Sequence, residues 1–143
     1  MATNIAAFLK LLQLSENYPH EPTAKNYNTM YGGGTLENLN DHPHRTVTKW
    51  GHTSSAAGAY QITADTYDEF KKKLHLKDFS AEAQDKIATE IIKTENALDL
   101  ISDGKIEDAI KKLNRRWVSL PGGKQARIKL DEALRKFAAY QQQ

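Results

Sequence analysis

A carboxylate at the end of an apolar segment is the first feature of this chain that could do chemistry. Glu16 follows Leu11, Leu12 and Leu14, and the sequence then changes to a polar stretch rich in Tyr, Asn, Pro, His and Gly. Burial against apolar residues would raise the pKa of this carboxyl group, so that it could hold and release a proton near neutral pH. On position alone, a solvated residue in the last turn of a helix is the more common interpretation.

A second segment with reactive side chains reads Asp-His-Pro-His over residues 41–44. Two histidines at this spacing could bind a metal ion, but no third ligand follows at a convincing distance. We therefore expect no metal and no cofactor. Asp41 is expected to cap a turn, and His42 either to orient that loop or to line a binding cleft.

A third segment, residues 54–61, combines small residues with polar and aromatic ones. Gly58 gives room for a ligand or a helix start, while Tyr60 and Gln61 offer an aromatic face and an amide. This mixture suits a carbohydrate, and the alternative is tight helix packing through the small residues. Ser54 and Ser55 lack the surroundings of a nucleophilic serine, and no phosphate-binding loop is present.

A fourth segment places Trp117 ahead of the Pro-Gly-Gly run at residues 121–123. An aromatic side chain before such a break could form a cleft wall, although a tryptophan here is more often part of the core.

The elements that must position these residues are mostly helical. Apolar residues at helical spacing predict a first helix over residues 4–15, with Thr3 or Asn4 as its N-cap. A second helix is expected to begin between residues 55 and 63 and to end at 74, and a third to begin at Ser80 and to carry Ile87, Ile91 and Leu98 on its buried stripe. Three more helices are predicted over 96–102 and around 106–113 and 128–137. Residues 45–50 alternate and predict a β-strand, with residues 27–31 as a possible partner. The pattern indicates an α+β domain.

Composition limits the class of protein further. A chain of 143 residues with 39% hydrophobic residues and no cysteine is expected to form one domain, residues 1–143, without disulfides. The N-terminus resembles neither a signal peptide nor a membrane span, so we expect a cytoplasmic protein. Residues 105–143 carry ten Lys and Arg against four Asp and Glu, a local charge of +6. Such a region could contact an acidic polymer or be an ordinary solvated surface.

Taken together and in this order, the segments resemble the endolysins of lambda-like bacteriophages, the lambda lysozyme family of lytic transglycosylases. The matching features span about residues 5–137 and are Leu-x-x-Ser-Glu, Tyr-Gly-Gly, Asp-His-Pro, Ser-x-Ala-x-Gly-x-Tyr-Gln, Leu-Lys-Asp-Phe-Ser with Gln-Asp, and Trp-x-Ser-Leu-Pro-Gly. Two departures are Asn17, where the family usually has Gly, and Gly123-Lys124-Gln125, where members carry a Tyr-Gly-Gln segment.

The resemblance implies a lysozyme-like, mostly helical bilobed α+β domain with a small β-rich lobe over about residues 27–52 and a peptidoglycan cleft. It implies cleavage of the β-1,4 bond between N-acetylmuramic acid and N-acetylglucosamine, with Glu16 as the single catalytic acid. The residues then expected to bind substrate are Tyr31, His42, Ser54, Ser55, Gly58, Tyr60, Gln61, Trp117 and Ser119. The protein would be a monomer that remains in the host cytoplasm until a holin-type partner permeabilises the membrane.

In the mechanism so implied, Glu16 protonates the leaving oxygen and its carboxylate then takes a proton from the muramyl 6-hydroxyl. A hydrolytic muramidase would instead need a second carboxylate, for which Glu21, Glu37 and Asp41 are candidates. A non-catalytic peptidoglycan-binding module is a further alternative. The basic C-terminal helix interleaves acidic residues and lacks an aromatic platform, so we expect neither nucleic-acid binding nor stable membrane insertion.

Overall fold

The computed structural model describes all residues from Met1 to Gln143. It contains six α-helices, one 3₁₀-helix (Ala24–Asn28) and a two-stranded sheet. The α-helices are α1 (Asn4–Glu16), α2 (Ala64–Leu74), α3 (Ala81–Thr94), α4 (Leu98–Ser102), α5 (Ile106–Leu113) and α6 (Leu130–Gln141), and the strands are β1 (Val47–Lys49) and β2 (His52–Ser54). The chain forms two compact units, the helical unit (residues 1–22 and 88–143) and the hairpin unit (residues 23–87).

The helical unit is built around α1, which packs against α4 and α6. Of the two predicted N-caps, Thr3 rather than Asn4 caps α1, because its side-chain oxygen accepts a hydrogen bond from the Ala6 amide at 3.1 Å. The apolar spacing of α1 buries Phe8, Leu11 and Leu12 completely. Each such side chain contributes about 2 kcal/mol of hydrophobic stabilisation, so the end of α1 is held firmly in the core.

The hairpin unit contains the sheet, and here one prediction was wrong. Strand β1 pairs antiparallel with β2, with Lys49 opposite His52, rather than with residues 27–31. The connecting residues Trp50 and Gly51 both have positive φ, 54° and 76°, as a tight two-residue hairpin turn requires. Residues 24–28 form the 3₁₀-helix instead, and the hairpin extends to residue 54, beyond the expected limit of 52.

The helices follow the predicted order, but α2 begins only at Ala64, α3 ends earlier than expected, and α6 covers Leu130–Gln141 rather than 128–137. Leu98 does not continue the buried stripe of α3, because α3 ends at Thr94 and Leu98 begins α4. Asn96 has a φ of 59°, in the left-handed region that ends helices and that asparagine tolerates better than most residues. Ile128 is buried but precedes α6, which begins at Leu130. No helix has both the length and the hydropathy that crossing a membrane demands.

Candidate active site

Glu16 is the last residue of α1 and lies partly buried beside Ser119. The Ser119 hydroxyl is 3.0 Å from Glu16 Oε2. Burial raises the pKa of Glu16 to about 7, while the hydrogen bond from Ser119 and the charge of Arg127 act in the opposite direction. Burial outweighs both, so the pKa of the carboxyl group lies near neutral pH.

Asn17 caps the C-terminus of α1 at the position where the resemblance leads one to expect glycine. Its φ is −124°, outside the left-handed region, and its amide donates to the carbonyls of Gln13 and Leu14. The backbone geometry at this position therefore has no special need for glycine. The substitution leaves the helix end, and with it Glu16, in place.

Ser119 is positioned by a tight turn over residues 117–127. The Gly122 φ of 81° is in the left-handed region, and a Cβ at Gly123 would lie 2.2 Å from the Val118 carbonyl oxygen. The amides of Gln125 and Arg127 donate to the carbonyls of Val118 and Ser119, at 3.1 and 2.9 Å. The Pro-Gly-Gly sequence therefore lets the chain fold back closely and fix the Ser119 backbone.

Two residues that the sequence analysis did not single out also contact this site. Ser15 is fully buried, and its hydroxyl lies 3.1 Å from that of Ser119 and donates to the Leu12 carbonyl at 3.0 Å. Arg127 Nη1 lies 3.4 Å from the Glu16 carbonyl oxygen. The helical spacing of Ser15 from Leu11 and Leu12 is the signal that could have placed it on the buried face.

The segment that follows Glu16 is anchored to α6. The Tyr18 hydroxyl donates to Glu132 at 2.6 Å. Glu21 accepts hydrogen bonds from Lys136 at 2.7 Å and from Tyr140 at 2.9 Å, and these bonds lower the Glu21 pKa. Glu21, one of the possible second carboxylates, is thus occupied by a cation and a phenol.

His42 lies in the hairpin unit, where both of its ring nitrogens bind the backbone. Nε2 donates to the Ile62 carbonyl at 2.8 Å, so Nδ1 is the acceptor for the His44 amide at 3.0 Å. The side chain is 2% exposed, and burial lowers its pKa. Of the two roles proposed for His42, this geometry corresponds to orienting the loop. No group of three or more His, Cys, Asp or Glu is placed to hold a metal ion.

Gly58 and Tyr60 are both buried in the hairpin unit. Gly58 has a φ of 84°, and a Cβ there would lie 2.2 Å from Gln84 Oε1. Gln84 is fully buried, accepts from the Ala59 amide and donates to the carbonyls of Tyr27 and Phe79. Tyr60 is 1% exposed, and its hydroxyl donates to Asp85 at 2.5 Å. Tyr60 therefore does not present the aromatic face expected of a sugar-stacking residue.

The other predicted binding residues of the hairpin unit are half-buried, and their polar side chains bind neighbouring backbone. Ser54 accepts from the Ala56 amide at 3.0 Å, Ser55 from the Ala64 amide at 2.9 Å, and Gln61 donates to the Gly58 carbonyl at 2.9 Å. Each keeps further lone pairs or protons for a ligand. The Tyr31 ring makes an edge contact with Trp50, whose side chain is 66% exposed and which the sequence analysis did not select.

Within the helical unit, Glu16 and Ser119 are therefore in direct contact. Trp117, four per cent exposed, belongs to the core of that unit rather than to an open aromatic wall. The remaining predicted residues share the hairpin unit. Whether these residues bind substrate stays a prediction.

Comparison with known proteins identifies the class. The model of the Endolysin family matches residues 6–143. The endolysin of Escherichia phage lambda is 36% identical over 137 residues, covering 92% of this chain and 87% of the relative, and that of Escherichia phage P2 is 37% identical over 132 residues, covering 83% and 80%. The solved lambda lysozyme complexed with a chitohexasaccharide superposes with a TM-score of 0.88 at 33% identity, covering 99% of this chain and 96% of that one. A second lambda lysozyme structure gives a TM-score of 0.86 at the same identity, with 98% and 95% coverage.

These matches extend over nearly the whole chain and agree with the helix order and the small sheet. The lysozyme-like α+β fold expected from the sequence is confirmed. This chain belongs to the Endolysin family. The family resemblance that the sequence motifs suggested is confirmed with it.

Proposed function

We propose that this endolysin cleaves the β-1,4 bond between N-acetylmuramic acid and N-acetylglucosamine in bacterial peptidoglycan, as a lytic transglycosylase that gives 1,6-anhydromuramic acid ends and lyses the host cell. Membership of the family supports the wall substrate, as does the chitohexasaccharide bound by the related lambda lysozyme. The observation that carries the proposal is the partly buried Glu16, whose pKa is raised to about 7.

A carboxyl group with this pKa can act first as an acid and then as a base. In the first step Glu16 gives its proton to the glycosidic oxygen as the bond from that oxygen to C1 of the muramyl residue breaks. In the second step the 6-hydroxyl of the same residue attacks C1, and the Glu16 carboxylate takes the hydroxyl proton. Glu16 ends protonated again, and no water is consumed.

The groups that act on the Glu16 pKa support this proposal over hydrolysis. They are the Ser119 hydroxyl and the Arg127 guanidinium, rather than a second carboxylate. Asp41, the candidate second acid of a muramidase, accepts a hydrogen bond from the His42 amide and lies within 4 Å of His44 and Lys71. Those contacts give Asp41 a structural duty.

The products distinguish the reactions. Mass spectrometry of digested peptidoglycan is expected to find 1,6-anhydro ends, which are lighter than reducing ends by one water molecule. Reducing ends would show that the enzyme is a hydrolytic muramidase. Wall binding without any released muropeptide, at every pH between 5 and 9, would indicate a non-catalytic binding module.

The remaining expectations follow from this function. We propose that Tyr31, Ser54, Ser55 and Gln61 contribute to glycan binding through the side-chain atoms that the backbone leaves free. We also propose that the protein acts as a monomer and reaches the wall after a holin-type partner permeabilises the host membrane. Lysis of host cells with and without such a permeabiliser, using purified protein added from outside as the control, tests the second point.

A further inference from the structure

Ser15 and Ser119, the serine pair, form a chain of hydroxyls between Glu16 and the backbone of α1. Ser119 Oγ lies 3.0 Å from Glu16 Oε2 and 3.1 Å from Ser15 Oγ, and Ser15 donates to the Leu12 carbonyl at 3.0 Å. Both serines are at most 2% exposed. Because each lies in the interior, their protons must be shared among these few partners.

The number of protons decides what this chain can do. A serine hydroxyl carries one proton and can accept two hydrogen bonds. Ser119 therefore donates either to Glu16 or to Ser15 at any moment, although both acceptors are within reach. The Ser119 backbone is fixed, because the Arg127 amide donates to the Ser119 carbonyl at 2.9 Å. Moving the Ser119 proton from Glu16 to Ser15 therefore needs only rotation of the Ser119 hydroxyl group.

We propose that the serine pair is a reversible hydrogen-bond relay that holds the Glu16 carboxyl group in one place in both of its protonation states. When Glu16 is ionised, Ser119 donates to Oε2. When Glu16 is protonated, it donates to Ser119, Ser119 turns its proton to Ser15, and Ser15 donates to the Leu12 carbonyl. Every buried donor has an acceptor in both arrangements, and no heavy atom moves.

Because the charged residues on the neighbouring helices bind other partners or are exposed, the serine pair is the group that responds when Glu16 gains or loses its proton. Arg127 is the charge that acts on Glu16. On α6, Asp131 pairs with Arg135, Glu132 accepts from Tyr18 and Lys136 donates to Glu21. On α4, Asp99 is exposed, and on α1 itself Lys10 binds Gln143.

The relay gives Ser15 a role in the reaction although it need not touch substrate. This part of the inference rests on the proposed function, in which Glu16 must be an acid in one step and a base in the next. A carboxyl group that stays in place through both steps avoids reorganisation at each proton transfer. Ser15 and Ser119 are in this sense positioning residues for Glu16.

Opposite shifts of the Glu16 pKa test the relay. In Ser15→Ala, the Ser119 proton has only Glu16 to bind, which disfavours the protonated acid, so we expect the pKa to fall by about half a unit or more. In Ser119→Ala, the carboxylate loses its donor, so the pKa should rise by a similar amount. Carbon-13 NMR titration of the ligand-free protein measures both, with the Glu16 signal assigned by its loss in Glu16→Gln.

A double variant separates a relay from simple packing. If Ser15 acts through Ser119, then adding Ser15→Ala to Ser119→Ala leaves the pKa where Ser119→Ala alone puts it. Ser15→Thr, which keeps the hydroxyl, should stay close to the original pKa. Shifts of the same sign in both single variants, no shift in Ser15→Ala, or an undiminished Ser15 effect without Ser119 would each overturn the relay.

The activity profile then separates the relay from the proposed function. The pH at which wall cleavage declines should move down in Ser15→Ala and up in Ser119→Ala, in step with the measured pKa values. NMR shifts of the expected signs with unchanged activity profiles would leave the relay standing and contradict the assignment of Glu16 as the catalytic acid. Activity profiles that move while the NMR pKa values do not would overturn the relay.

Discussion

Buried polar side chains occur in both units of this endolysin, and the two units use them differently. In the hairpin unit, Gln84 and His42 bind main-chain amides and carbonyls, which are permanent donors or permanent acceptors. In the helical unit, Glu16, Ser15 and Ser119 bind one another, and hydroxyl and carboxyl groups can exchange the roles of donor and acceptor.

This difference indicates what each arrangement is suited to do. Fixed donors and acceptors specify one backbone conformation, because reversing any of them would leave a buried group unpaired. Groups that can exchange roles tolerate the arrival or loss of a proton without such a penalty. The first arrangement suits a scaffold, and the second suits the proton transfers proposed for Glu16.

The largest effect is expected from removing the exchangeable proton itself. Glu16→Gln keeps the size of the side chain but cannot deliver a proton, so lysis of a wall suspension should fall by about a thousandfold or more. Asp41→Asn is the matched control, since it removes a carboxylate but keeps the oxygen that accepts from the His42 amide. It should retain activity within about threefold. A comparable loss in Asp41→Asn would favour a two-carboxylate hydrolase.

The next largest effect is expected on stability, from disturbing the fixed hydrogen bonds of Gln84 in the hairpin unit. Gly58→Ala places a methyl group against Gln84 at a φ of 84° and should lower the free energy of unfolding by about 4 kcal/mol. Gly51→Ala at the hairpin turn is the control, because its φ is 76° but nothing lies within 4 Å of a Cβ there. It should cost about 1 kcal/mol. Urea unfolding measures both, and equal costs would show that the contact with Gln84 is unimportant.

A smaller effect is expected from the pH dependence of stability. Below pH 4.5 Glu16 is protonated in the folded and unfolded chains alike, so it contributes nothing to the difference between them. As the pH rises from 4.5 to 7 the unfolded chain releases the proton while the folded chain keeps it, so stability falls, by about 3 kcal/mol in total. Above pH 7 this loss is complete.

Comparing the Glu16→Gln variant with the unchanged protein isolates the contribution of Glu16 to the pH dependence of stability. Glu16→Gln has no proton to release, so its stability relative to the natural protein should rise by about 3 kcal/mol between pH 4 and pH 8. Asp68 raises the pKa of His44 above its usual value of 6.5, so His44 loses stabilisation as the pH rises from 6.5 through that raised pKa, but it does so in both proteins and cancels. A constant difference across this range would show that burial of Glu16 does not raise its pKa.

The helices of the fold could be predicted because each buries a regular apolar stripe, as in α1, whose N-cap and end were placed to within one residue. The hairpin was misassigned because its turn is Trp50-Gly51, and a tryptophan at positive φ is not a usual turn signal. The end of α3 was missed because Asn96 stops it through backbone conformation, which a hydrophobic pattern does not record.

Some residues of the candidate site could likewise be predicted from the sequence, and others could not. Glu16 could be selected from its place at the end of an apolar helix and from the resemblance to lambda-like endolysins. Helical spacing could place Ser15 on the buried face of α1, but it could not show that Ser15 and Arg127 contact the site, because those contacts join α1 to a turn more than a hundred residues later. Tyr60 was expected to be open to a sugar. Its hydroxyl instead binds Asp85, which lies 25 positions along the chain, and the sequence does not show that the fold brings these two residues together.

The smallest effect is expected from charges that take no part in either buried arrangement. Lys112, Lys124 and Lys129 are exposed on the basic region of residues 105–143. Attraction to an anionic wall would raise the rate of encounter and would be screened by salt. Changing all three to Gln should therefore slow lysis about threefold at 10 mM salt, a low ionic strength, and hardly at all near 0.5 M.

The control for this change removes the same charge elsewhere. Lys25, Lys72 and Lys77 are exposed in the hairpin unit, and their replacement by Gln lowers the net charge of the chain equally. If the position of the basic region matters, the hairpin-unit variant should lyse faster than the first variant at low salt. Equal rates would reduce the effect to net charge alone, and no slowing in either would show that charge does not guide this enzyme to the wall.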